Sequence, residues 1–187
     1  MIIFGLDGTL ADYEHRRHLV DALLDHPDYY RNACESCKDG SHHKIDPQFH
    51  RITKELWKPN WPAFYEACDK DKPIEPVLRQ LRLWMVCESN IQIWSGRSES
   101  VREKTMDWLD HHVSCDGDYS NFESRNLKMR PIGDNTPDDE LKERWLDEAI
   151  ADGKTIGFVF DDRPKVVSMW RRRGIFVFNC CQHDGEF

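Results

Sequence analysis

The stretch from position 2 to position 10 constrains this chain most. An apolar run, Ile-Ile-Phe-Gly-Leu, breaks into Asp7-Gly8-Thr9 and gives way to an amphipathic segment. A short continuous apolar run closed by a polar turn and followed by a helical pattern reads as a buried parallel strand feeding a crossover. In an open α/β sheet the carboxyl ends of the strands face the ligand crevice, so a carboxylate one step past such a strand points at whatever is bound. Asp7 is that carboxylate. Alone, it would as readily cap the next helix.

It is not alone. Residues 90–94 form a second apolar run that ends in Ser95-Gly96-Arg97, and residues 155–160 a third that ends in Asp161-Asp162-Arg163. Residues 127–130 and 175–178 are shorter strand candidates. Between them lie helical patterns at 13–24, 61–68, 77–86, 99–112, 138–150 and 164–173. Ser98 is a candidate N-cap, Thr136 caps a helix with Pro137 at its first position, and Gly153 and Gly174 close two others. This alternation predicts an α/β fold: a Rossmann-like parallel sheet with helices on both faces.

A length of 187 residues suits one domain, residues 1–187, with a single core. Residues 28–60 change to Cys, His, Asp, Lys and aromatics without apolar periodicity, which marks a small cap insertion. With 39% hydrophobic and 32% charged residues, the chain is neither disordered nor fibrous. No apolar run approaches the roughly 20 residues that span a bilayer, so no membrane association is expected and a cytoplasmic location is the default. The net charge of −8 disfavours a broad phosphate-gripping surface, leaving room for a local basic pocket. Seven irregularly spaced cysteines do not form a secreted disulfide framework. Oligomeric state is not encoded legibly.

Right-handed crossovers bring Asp7, Ser95 to Arg97 and Asp161 to Arg163 to one sheet edge, with Asp138 and Lys142 supplied by a helix start. Carboxylates mixed with cations suit phosphoryl transfer through Mg²⁺, whose hard oxygen ligands come from the acids while Arg and Lys neutralise the transferring group. No Gly-x-x-x-x-Gly-Lys loop is present, which argues against a P-loop kinase. Arg97 and Lys142 as solvated surface charges are the bland alternative. Adjacent Asp161 and Asp162 behind an apolar strand resist such an account, since their repulsion requires a cation.

Asp7-Gly8-Thr9-Leu10 resembles the first motif of the haloacid dehalogenase superfamily. The ordered set that continues through Arg16, Ser95-Gly96-Arg97, Arg130, Asp138 with Lys142, and Phe160-Asp161-Asp162-Arg163 to Trp170-Arg171-Arg172 resembles the 3'-phosphatase domain of phage polynucleotide kinase. That resemblance implies a Mg²⁺-dependent phosphomonoesterase acting through an aspartyl-phosphate, with a 3'-phosphorylated nucleic-acid end or a nucleotide as partner. It implies Asp7 as general acid and base, and Ser95 and Lys142 on the phosphoryl oxygens. Arg16, Arg97 and Arg130 contact substrate phosphates, Thr9, Gly96 and Arg163 line the substrate side, Asp138 orients Lys142, and Asp161 or Asp162 binds Mg²⁺ together with the main-chain oxygen of Asp7.

One position departs from the pattern. Gly5 stands where the family keeps its nucleophilic aspartate, and glycine supplies neither nucleophile nor metal ligand. A substitution in an otherwise active enzyme competes with a natural non-catalytic nucleotide- or nucleic-acid-binding module. Retention of the other acids and bases favours the first. A nucleoside monophosphate phosphatase is the alternative activity.

In the insertion, Cys34-x-x-Cys37 followed by His42, His43 and His50 suits a structural Zn²⁺, against reduced thiols with surface histidines. Trp57 and Trp61 are packing residues or a surface on which a base stacks.

Overall fold

In the computed structural model, residues 1–20, 58–87, 90–113 and 126–181 are described. Two compact units emerge: Met1–Tyr13 with Asp69–Phe187, and Glu14–Cys68. In the first, the strands in chain order are β1 (Ile2–Gly5), β2 (Ala11–Asp12), β3 (Lys72–Pro73), β4 (Ile91–Ser98), β5 (Leu127–Arg130), β6 (Phe158–Asp161) and β7 (Phe176–Asn179). The helices are α1 (Trp61–Glu66), in the second unit, then α2 (Glu75–Cys87), α3 (Arg102–Val113), α4 (Asp138–Ala151) and α5 (Pro164–Arg172).

The main sheet has the order β5-β4-β1-β6-β7, every pairing parallel, and β2 and β3 form a separate antiparallel pair. The chain moves outward from β1 to β4 and β5, then returns to the other side of β1 for β6 and β7. The topological switch point therefore lies between β1 and β6, where the crevice of an open α/β sheet opens. Strand alternation gives the sheet two apolar faces. Ile3, Trp94, Val159 and Val177 pack against Leu141, Trp145 and Leu146 of α4 and Val166, Val167, Met169 and Trp170 of α5. On the opposite face Phe4 stacks on Phe160 at 4.5 Å, Phe160 on Phe178 at 4.7 Å, and Trp84 of α2 meets Phe158 at 5.1 Å. The predicted α/β architecture is therefore found, with helices on both faces.

Local structure departs from the sequence reading at several points. Of the helix expected over 13–24, the described part is a 3₁₀ helix, Glu14–Leu19. Strand β4 continues to Ser98, with a register shift against β5 between Ser95 and Ser98, so Gly96 lies within a strand. Ser98 caps the 3₁₀ turn Glu99–Val101 that precedes α3. Pro137, not Thr136, occupies the cap position of α4. The main-chain N–H of Thr136 donates to Asp134 Oδ1 at 2.8 Å. Arg172 and Arg173 reach across to Glu143 and Asp147 of α4.

In the second unit, the Asn60 side chain caps α1 by accepting from the N–H of Ala63. Arg16 donates to the carbonyl of Phe64 at 2.9 Å and lies over its ring, 4.0 Å from the centroid. Trp61 stacks on Tyr65 at 5.9 Å. Cys34, Cys37, His42, His43, His50 and Trp57 lie outside the described residues. Among the described residues no helix is long and apolar enough to cross a membrane.

Candidate active site

The turn after β1 is wound tightly around one carbonyl: Leu6 O accepts from the N–H groups of Thr9, Leu10 and Ala11. Gly8 makes this possible with φ +79°, a left-handed conformation that side chains disfavour. It is also the point of closest approach to β6, since a Cβ there would sit 1.9 Å from Asp162 Oδ2. The buried Thr9 hydroxyl donates to Asp162 Oδ1 at 2.8 Å. The strand ends on either side of the switch point are thereby tied together.

Asp161 is buried and satisfied on both oxygens. Lys142 Nζ (2.7 Å) and Trp170 Nε1 (3.3 Å) donate to Oδ2, and the N–H groups of Asp162 (3.1 Å) and Arg163 (3.4 Å) to Oδ1. Asp162 is different. Burial first, and the neighbouring charge of Asp161 second, push its carboxyl above the ordinary carboxylate range; the Thr9 hydrogen bond and Lys142 only partly oppose this.

A second cluster bridges β4 to the same turn. Arg97 is fully buried and its fork closes on Asp7, with Nε 2.9 Å and Nη2 2.6 Å from Oδ1 and Nε 3.2 Å from Oδ2. The same Nη2 lies 2.6 Å from Asp71 Oδ2, and Nη1 lies 3.4 Å from the Thr105 hydroxyl. Ser95 Oγ accepts the main-chain N–H of Arg97 at 3.1 Å.

The third cluster centres on Asp138, whose carboxylate bonds Arg130 on one oxygen and Arg163 on the other. Gly96 leaves the room for it: a Cβ would lie 2.7 Å from Asp138 Oδ1. Arg130 also donates to the carbonyls of Gly96 (2.9 Å), Asp134 (3.2 Å) and Thr136 (2.6 Å).

These contacts give the expected site residues partners within the protein. Asp138 holds Arg130 and Arg163, while Lys142 is held by Asp161. The Arg97 guanidinium meets Asp7 and Asp71, and that of Arg130 meets Asp138 and three main-chain carbonyls. Arg16 belongs to the other unit, where Phe64 holds it. Thr9 meets Asp162 and Lys142 meets Asp161 at the β1–β6 boundary beside Gly5, Asp7 meets Arg97 on the β4 side, and Ser95, Gly96, Arg97 and Arg130 lie in β4 and β5, where Asp138 joins Arg130 to Arg163. Two residues here carry no motif. Asp71 precedes β3 as one more acid in a charged run, and Cys180 follows β7. The Cys180 thiol is pushed up to about 12 by burial and then by the charges of Asp162 and Asp161.

At Gly5, the last residue of β1, an added Cβ would lie 2.8 Å from Thr9 Oγ1 and 3.5 Å from the Asp161 carboxyl carbon. The side chain missing from this position would therefore enter between the two strand ends. For a divalent cation the donor chemistry fits: all-oxygen ligands suit Mg²⁺. Asp161 has its oxygens taken, so Asp162, short of compensating charge, and the main-chain oxygen of Asp7 are the groups that could hold it. Gly5 contributes no carboxylate to that set.

The parallel sheet thus gathers carboxylates and a lysine at its switch point, an α/β arrangement with its polar groups at the strand ends. The family model described as "Polynucleotide kinase PNKP phosphatase domain" matches residues 61–187, and the chain belongs to that family. A protein of Autographa californica nuclear polyhedrosis virus named "Putative bifunctional polynucleotide kinase/RNA ligase" is 36% identical over 98 residues, which is 52% of this chain and 13% of that protein. Among solved structures, a chain of the Pnkp1/Rnl/Hen1 complex superposes with a TM-score of 0.60 at 22% identity, over 98% of this chain and 46% of that one. A chain from the Pnkp1/Rnl/Hen1 RNA repair complex gives 0.59 at 22% identity, over 98% and 43%. The chain thus spans a minor part of each of these relatives, and the structural likeness extends to the fold.

Proposed function

We propose that the chain is a Mg²⁺-dependent phosphomonoesterase scaffold for nucleic-acid 3'-phosphate ends or nucleotides, silenced at the first, phosphoryl-transfer step by Gly5. The observation that carries this reading is the direction of the missing Cβ at Gly5, toward Thr9 and Asp161. A carboxylate restored there reaches the place where the acids and Lys142 gather, once the Thr9 hydroxyl rotates aside.

In the restored site the position-5 carboxylate attacks phosphorus, and Asp7, held by Arg97, gives a proton to the leaving alcohol and later takes one from water. Lys142 and Ser95 face the phosphoryl oxygens. Mg²⁺, when bound, neutralises charge on the phosphoryl group. In the chain as it stands only binding remains.

Steady-state phosphate release by Gly5→Asp with Mg²⁺, across 3'-phosphorylated DNA and RNA oligonucleotides and nucleoside monophosphates, tests the proposal. Preference for the oligonucleotides, with affinity that falls steeply as salt rises, supports end recognition. The net charge of −8 favours the second reading, a nucleotidase with shallow salt dependence. Ligand affinity with no turnover in folded Gly5→Asp would leave a pure binding module.

A further inference from the structure

Asp71 stands outside every motif, yet its carboxylate is fully buried, and so is the Arg97 guanidinium it meets. Burying two charges is costly unless each is paired and hydrogen-bonded. Here Arg97 stands between two acids: Asp71 at 2.6 Å on the buried side and Asp7 at 2.6 Å on the open side, where the Asp7 side chain keeps 22% exposure. The surroundings fix Asp71 itself, because Trp108 of α3 donates its indole N–H to the Asp71 carbonyl at 2.7 Å. Thr105, one turn before Trp108 on the same helix, meets Arg97 at 3.4 Å. Helix α3 and the segment before β3 therefore form a rigid seat for the guanidinium. A guanidinium fork held at its rear can present only one geometry at its front.

We infer that Asp71 is a positioning residue: through Arg97 it fixes the orientation of the Asp7 carboxyl group. This rests on the reading of Asp7 as the proton-transfer group. It adds a member that touches neither substrate nor reacting atoms and acts by removing the freedom of the group that does.

Two measurements on the full chain separate this inference from the functional reading. The first needs no activity. In the unaltered protein, NMR couplings across the hydrogen bonds should connect the Arg97 side-chain nitrogens to the carboxyl carbons of both Asp7 and Asp71. Absence of either coupling overturns the inference. In Asp71→Asn the Arg97 Nε–H should exchange with water at least about tenfold faster while the sheet amides keep their shifts, and an unchanged rate overturns it.

The second uses the Gly5→Asp background. General acid catalysis is worth about 10²–10⁴-fold when the leaving group needs a proton. Adding Asp71→Asn should therefore lower kcat/KM, which reports steps up to departure of the leaving group, about ten- to a hundredfold for a 3'-phosphorylated nucleoside, whose alkoxide must be protonated. The same change should alter kcat/KM by less than about twofold for p-nitrophenyl phosphate, whose phenolate departs unaided. Equal losses of kcat/KM on both substrates mark a merely structural residue and overturn the inference. Inactivity of Gly5→Asp on both substrates instead rejects the functional reading, and the Arg97 couplings and exchange rate then decide the placement of Asp7 by themselves.

Discussion

Alanine at Gly8 should cost far more than alanine at Gly133, although the two backbones are nearly the same. Gly8 has φ +79° and Gly133 φ +80°, so the penalty for placing an L-residue in the left-handed region, about 1–2 kcal/mol, is common to both. Their surroundings differ. Nothing lies within 4 Å of a Cβ at Gly133, whereas one at Gly8 falls 1.9 Å from Asp162 Oδ2. Asp162 must swing away, giving up the 2.8 Å bond from Thr9. A hydrogen bond to a charged group is worth about 1.5–3 kcal/mol, so Gly8→Ala should destabilise by about 2.5–5 kcal/mol and Gly133→Ala by about 1–2. Urea unfolding followed by tryptophan fluorescence measures both, provided the slope of the transition stays constant. Losses equal within about 0.5 kcal/mol, the usual scatter of surface substitutions, would refute the claim that the β1 turn is packed directly on Asp162.

Three further outcomes follow from the same site. Lys142→Met leaves Asp161 buried with its cation gone and should lower stability by about 3–5 kcal/mol in the same unfolding assay. Asp162 has a folded-state pKa above its unfolded value, so its contribution to stability is lost as pH rises through the folded value. Asp162→Asn, in Mg²⁺-free buffer, should therefore compare more favourably with the parent at pH 8 than at pH 5, and thermal melts at the two pH values check the sign. With its thiol pushed up to about 12, Cys180 should resist iodoacetamide at pH 8 while exposed Cys87 is alkylated, as read by peptide mass spectrometry.

Much of this arrangement was legible in the sequence because a parallel sheet converts strand ends into neighbours. Apolar runs closed by Asp7, by Ser95 to Arg97 and by Asp161 to Arg163 sufficed to place those residues along one edge, and Lys142 followed from the helix start four residues earlier. What side chains do once there was less legible. Arg97 and Arg130 look alike in sequence, and only tertiary packing shows which groups each meets: Asp7 and Asp71 in one case, Asp138 and main-chain carbonyls in the other. Asp138 and Lys142 stand one turn apart, and the partners each meets off the helix, Arg130 and Arg163 for one and Asp161 for the other, are not marked in the sequence. Asp71 sits in the run Asp69-Lys70-Asp71-Lys72, where nothing distinguishes the acid that turns inward. Gly96 read as part of the end of a strand; it lies within β4, and a Cβ there would meet Asp138, a crowding that the sequence does not announce.

The most direct test is the rate of phosphate release by purified Gly5→Asp protein beside the unaltered chain, with Mg²⁺ and a 3'-phosphorylated oligonucleotide. An increase of at least about a thousandfold, abolished again by Asp7→Asn, is predicted if position 5 is the place from which phosphorus is attacked. A folded Gly5→Asp protein that binds the oligonucleotide and releases no phosphate would contradict the account.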